Sequence, residues 1–148
     1  SSAASDVYKR QFQNMTVAGG QVLIAGTPAW TQEYQRRAAI CMGIWAQKGS
    51  QRVYWVSMPP ARNPVWAAID GQINVALKAA AARVPGAEFV DIVGLVTDHG
   101  AYSDVITTGA GVRLLIREPD GVHLNIEGSK IVARYLLHII EHEWRLKP

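Results

Sequence analysis

Apolar residues recur at helical spacing in three stretches of the chain and form short unbroken runs between them. Trp30, Tyr34, Ala38, Cys41 and Trp45 share one face of a predicted first helix. Thr27-Pro28 opens it as N-cap and first-turn proline, and Gly49 ends it. Trp66, Ile69, Ile73, Leu77 and Ala80 mark a second helix, opened by Asn63-Pro64 and stopped by Pro85-Gly86. Ile131, Val132, Tyr135, Leu136, Ile139 and Ile140 mark a third, which starts near Asn125. Arg52 to Val56 and Phe89 to Ile92 are too short for helices and read as buried strands. Gln21 to Ile24 reads as a short strand after the Gly19-Gly20 turn. Tyr102 to Ile106 and Val112 to Ile116 flank Gly109-Ala110-Gly111 and predict a hairpin.

Helices alternating with short apolar runs predict an α/β fold with parallel strands. Two core strands are few for an open α/β sheet, which normally has about five. Residues 12–148 are therefore expected to be the C-terminal part of a single three-layer α/β/α domain, with N-terminal strands missing. Ser1 to Arg10 shows no periodicity and lacks the apolar core of a secretory signal. Residues 1–11 are expected to be a non-native or disordered tail.

Composition narrows the function classes. With 49% hydrophobic and 18% charged residues, the 148-residue chain can bury a core and is not of the disordered type. The net charge is +3, and Lys and Arg occur in no run longer than two, so no basic stripe and no nucleic-acid partner is expected. One cysteine, Cys41, excludes an internal disulfide and a thiolate zinc site, and its helical position reads as that of a small buried hydrophobe. No apolar run approaches the roughly 20 residues that span a membrane. Gly109-Ala110-Gly111 contains G-x-G but lacks the further glycine and the helix of a phosphate loop, so no cofactor is expected. Trp30, Trp45, Trp55 and Trp66 fall on apolar patterns and read as core more readily than as a sugar-stacking platform.

Active sites of α/β sheets lie on loops at the carboxyl ends of the strands. The loop before the last helix places Asp120 three residues ahead of His123, with Gly121 between them for a tight turn. A neutral imidazole can take a proton from a hydroxyl nucleophile. A carboxylate on its other nitrogen fixes the tautomer and stabilises the imidazolium. The spacing alone also suits an Asp that caps a turn beside a surface histidine.

The words around the pair add to this. Arg117-Glu118-Pro119-Asp120-Gly121-Val122-His123-Leu124-Asn125, with Gly128 and a terminal amphipathic helix, resembles the last conserved block of SGNH (GDSL-type) hydrolases. Gly26-Thr27-Pro28-Ala29-Trp30, Val53 to Pro60, Phe89-Val90-Asp91 and Gly100-Ala101-Tyr102-Ser103 are similar to words of a bacterial envelope subfamily. The resemblance implies a flavodoxin-like fold and a serine-ester hydrolase acting on a small-molecule or carbohydrate ester. It implies His123 as general base, Asp120 as its orienting partner, and an exported, periplasmic or envelope protein. The family's nucleophile stands in a G-D-S word near its N-terminus, and none is present. The serines of residues 12–148 are Ser50, Ser57, Ser103 and Ser129, and none sits in such a turn. The resemblance therefore implies a fragment that is inactive alone. Acyl transfer by the same triad, or a non-catalytic module binding polysaccharide or protein, are the alternatives.

His138-Ile139-Ile140-Glu141-His142 spells H-x-x-E-H, the inverted zincin word. That chemistry needs a third protein ligand, and only six residues follow His142. A solvated helix flank is the reading carried forward, with no metal.

Overall fold

The computed structural model describes residues 13–144, so the tail expected over residues 1–11 lies outside the described residues. The fold is mixed α/β, with three α-helices and three two-stranded sheets among the described residues, one of them parallel. The chain divides into two compact units, one of residues 13–58 and 64–91, the other of residues 59–63 and 92–144.

In the first unit, β1 (Met15–Thr16) and β2 (Val22–Leu23) form an antiparallel ribbon. β1 had no signature of its own in the sequence. Helix α1 (Pro28–Ala46) begins where Thr27 accepts the Trp30 amide and Pro28 supplies a preset φ. It ends three residues before Gly49, because Gln47 already turns left-handed at φ 47°. The buried stripe is Trp30, Ala38, Met42 and Ala46. Each residue turns the helix by about 100°, so Cys41 and Trp45 face away from that stripe. Both are exposed, Trp45 at 65%, contrary to their expected burial. Trp66 is also exposed, in the first turn of the next helix, while Trp30 is core.

Helix α2 (Pro64–Ala81) buries the predicted face of Ile69, Ile73, Leu77 and Ala80. These residues join Trp30, Ala38 and Met42 in one cluster, against which Trp55 and Phe89 of the sheet pack. The sheet is β3 (Val53–Val56) beside β4 (Ala87–Val90), parallel, with Trp55 opposite Phe89. Its entry depends on Gly86 at φ 84°, whose missing Cβ leaves room for the Gln51 carbonyl oxygen. The Gly86 carbonyl in turn accepts the Val53 amide at 2.8 Å. At the carboxyl end of β3, the Asn74 side chain clamps Met58, accepting its N–H at 2.7 Å and donating to its carbonyl at 2.8 Å.

In the second unit, β5 (Val105–Thr107) and β6 (Arg113–Leu115) form the predicted hairpin, with Ile106 opposite Leu114. The strands are shorter than their apolar runs. Tyr102 and Ser103 spend their hydroxyls locally, on Asp104 and on the Val105 carbonyl, and stay outside the ladder. Helix α3 (Ile126–Glu143) starts where the sequence placed it. Asn125 caps it, its Oδ1 accepting the Gly128 amide at 3.0 Å and its Nδ2 donating to the Leu115 carbonyl at 2.9 Å. Of its apolar stripe, Ile131, Val132, Leu136, Ile139 and Ile140 are half-buried. No helix among the described residues is long and apolar enough to cross a membrane.

Candidate active site

Residues 118–123 lie within the loop between β6 and α3. A turn opens it, in which the Gly121 amide donates to the Glu118 carbonyl at 3.1 Å. Gly121 sits at φ 73°, a left-handed conformation that an L side chain resists. The Glu118 amide then donates to the His123 carbonyl at 2.9 Å, closing the loop on itself.

This closure brings Asp120 and His123 together. Asp120 Oδ1 accepts the amides of Val122 and His123 at 2.8 and 3.0 Å. Its Oδ2 lies 2.5 Å from His123 Nδ1. One carboxylate oxygen therefore fixes the loop and the other holds the imidazole. Both side chains are about half exposed, His123 at 48% and Asp120 at 47%. Partial burial raises the Asp120 pKa, but the hydrogen bond from His123 and the two backbone amides outweigh it and hold the carboxyl below its ordinary value. With its Nδ1–H donating to an ionised Asp120, a neutral imidazole presents Nε2 as the nitrogen that can take up a proton. That is the arrangement a general base requires.

The loop is also held from outside. Arg117 is 2% exposed, and its guanidinium donates to the carbonyls of Val122 at 2.8 Å, Pro60 at 3.3 Å and Val96 at 3.4 Å. Burying a guanidinium is costly unless carbonyls or charges surround it. Arg62 donates its backbone N–H to the Gly121 carbonyl at 2.8 Å and its guanidinium to the Pro119 carbonyl at 3.2 Å. It also meets Asp104 Oδ1 at 2.7 Å. The Tyr102 ring lies under both guanidinium groups, 5.4 Å from Arg62 and 5.0 Å from Arg117.

A second Asp–His contact exists in the same unit. Asp98 Oδ1 is 2.6 Å from His99 Nδ1 at the tip of a tight turn bridged from Asp98 to Ala101. His99 is 97% exposed and Asp98 70%, so the solvent screens the contact. The pair borders a polar cavity of about 720 Å³, with Ser103, Thr107 and Arg113 across it. Asp120 and His123 share a more sheltered loop, and their carboxylate is oriented by two amides.

Three of the serines have hydrogen-bond partners of their own. Ser57 is buried, and its hydroxyl donates to Asp91 at 2.9 Å. The Ser103 hydroxyl donates to the Val105 carbonyl at 2.5 Å, and that of Ser50 to the Gln47 carbonyl. His138 and His142 are exposed on α3. The sequence singled out Asp120 and His123 but assigned no role to Arg62, Tyr102, Asp104 or Arg117. Arg117 and Tyr102 stood inside the words that resemble the hydrolases. Arg62 had no local signal, because its contacts are made across the chain.

A family model described as "Protein of unknown function (DUF459)" matches residues 9–139. The chain belongs to this family. The match runs from ahead of β1 to Ile139 within α3, so the Asp120 loop and its arginines are part of the DUF459 domain. No curated protein matches the chain.

Proposed function

We propose that this DUF459 protein is a serine-ester hydrolase of the SGNH type, with His123 as general base and Asp120 as the residue that orients and charges it. The contact of His123 Nδ1 with an amide-anchored, ionised carboxylate carries the reading. It is the geometry by which a triad sets the tautomer of its base. The D-G-V-H word ahead of a capped helix supports the same conclusion from the sequence side.

In this reading the nucleophilic serine belongs to a segment N-terminal to the described residues, in the family's G-D-S word. The serine hydroxyl gives its proton to His123 Nε2 as its oxygen bonds to the ester carbonyl carbon. The proton then passes to the leaving alcohol, and water repeats the step to release the acid. The substrate is a small-molecule or carbohydrate ester, and the resemblance supports an envelope location.

The test uses the protein carrying its upstream serine segment and a fluorophosphonate probe, which bonds covalently to an activated serine hydroxyl. The wild type should be labelled on that serine, and His123→Ala should lose the labelling while staying folded. Labelling that survives His123→Ala, or no labelling of a folded wild type, would sink the proposal.

A further inference from the structure

Asp120 projects from the loop between Pro119 and Gly121. Arg62 holds the carbonyls of both, one through its guanidinium and one through its backbone N–H. The next carbonyl, that of Val122, is held by Arg117. The Pro119 carbonyl shares its peptide plane with the Asp120 amide, so holding it restrains the φ of Asp120, and holding the Gly121 and Val122 carbonyls restrains the two planes that lead on to His123. Arg62 also lies flat on Gly121. A Cβ built there would come within 2.8 Å of Arg62 Cβ and 3.1 Å of its Nε and Cζ. The glycine therefore serves the turn and the seat of the arginine together.

Arg62 is itself held at its far end. Asp104 Oδ1 meets its Nη2 at 2.7 Å and also accepts the Tyr102 hydroxyl at 2.6 Å. A long, half-exposed arginine would otherwise sample many rotamers. The Asp104 carboxylate and the Tyr102 face reduce these to one. Asp104 therefore reaches the Asp120 loop through a single intervening residue, Arg62.

We propose that Arg62 is a positioning residue for the Asp120–His123 pair, and that Asp104 and Tyr102 set its position. This inference rests on the reading of Asp120 and His123 as a working pair. It predicts that a change at Asp104 alters the imidazole of His123 by way of Arg62.

The experiment is nuclear magnetic resonance of the histidine side chains in the 148-residue protein, with ¹⁵N-labelled imidazoles. An imidazole Nδ1–H bonded to a carboxylate gives a downfield proton resonance, here assigned to His123 by its loss in His123→Gln. Asp120→Asn should weaken or abolish it. Arg62→Ala and Asp104→Asn should each broaden it or move it upfield, as the carboxylate loses its fixed direction. Arg62→Lys, which keeps a charge for Asp104 and the backbone N–H to Gly121, should restore part of the shift. Circular dichroism checks folding, and Asp104→Asn decides the matter if Arg62→Ala does not fold. A resonance unchanged in Asp104→Asn and in every folded Arg62 variant, yet lost in Asp120→Asn, overturns the positioning role and leaves the pair intact. A resonance that survives Asp120→Asn overturns the pair itself.

Discussion

Replacing Gly128 by alanine should destabilise the protein, although alanine is the better helix former. In an open helix interior the exchange gains about 1 kcal/mol of propensity. Gly128, in the first turn of α3, is not in the open. An added Cβ would stand 2.5 Å from the Ile116 carbonyl oxygen, 3.2 Å from Ile116 Cβ and 3.1 Å from Leu124 Cδ2. Ile116 is fully buried, and its carbonyl already accepts the Asn125 amide at 3.0 Å, so backbone must move to make room. Overpacking of this kind costs about 1–3 kcal/mol, and a rigid carbonyl puts it at the upper end. The net expectation is a loss of about 1–2 kcal/mol. Gly71, inside α2, is the control, because nothing lies within 4 Å of its added Cβ. Gly71→Ala should gain about 0.4–1 kcal/mol. Urea unfolding of the two variants and the wild type reads both changes by linear extrapolation. Gly128→Ala as stable as the wild type, or more stable as Gly71→Ala should be, would refute the close seating of α3 on Ile116. The same helix end carries Asn125, two residues from His123.

Three further outcomes follow from particular side chains. Glu33 bridges Arg36 and Arg37 at 2.7 Å each, and these hydrogen bonds, Arg36 first, hold its pKa down to about 2 from an ordinary 4.5. Its contribution is full above the ordinary value and fades as pH falls through about 2. With the arginines half exposed it is worth under about 1 kcal/mol, so Glu33→Gln should flatten the acid side of a stability–pH curve by no more than that. Asp120 follows the same sign: its depressed pKa makes the loop strongest above the ordinary carboxylate range, and acid titration followed by the His123 resonance should show their hydrogen bond breaking as Asp120 is protonated. The double replacement His138→Gln, His142→Gln should change stability by only about 0.5 kcal/mol. Stoichiometric zinc in the purified protein, lost on that replacement, would favour a metal site instead.

What the sequence made legible was local. The β-branched and aromatic run at Val53–Val56, the apolar face of α2 and the Asn125 cap each rest on near neighbours in the chain. The Asp120–His123 pair was legible for the same reason, since three residues and a glycine turn suffice to close it. Cys41 and Trp45 were misplaced because the stripe of α1 repeats every four residues and an apolar residue one step aside looks the same in sequence. β1 is two residues long and takes its conformation from its partner. The Arg62–Asp104 ion pair joins residues far apart in sequence and was beyond any periodicity.

The measurement closest to the central claim is ester turnover by the protein with its serine segment present, compared across His123→Ala, Asp120→Asn and the double variant. A short-chain aryl ester serves as substrate, with circular dichroism to confirm folding. A triad acting as one unit predicts that His123→Ala lowers kcat by a factor on the order of 10³ to 10⁶. Asp120→Asn should cost no more than that, and the double variant little beyond His123→Ala alone. Near-wild-type turnover by a folded His123→Ala variant would contradict the account.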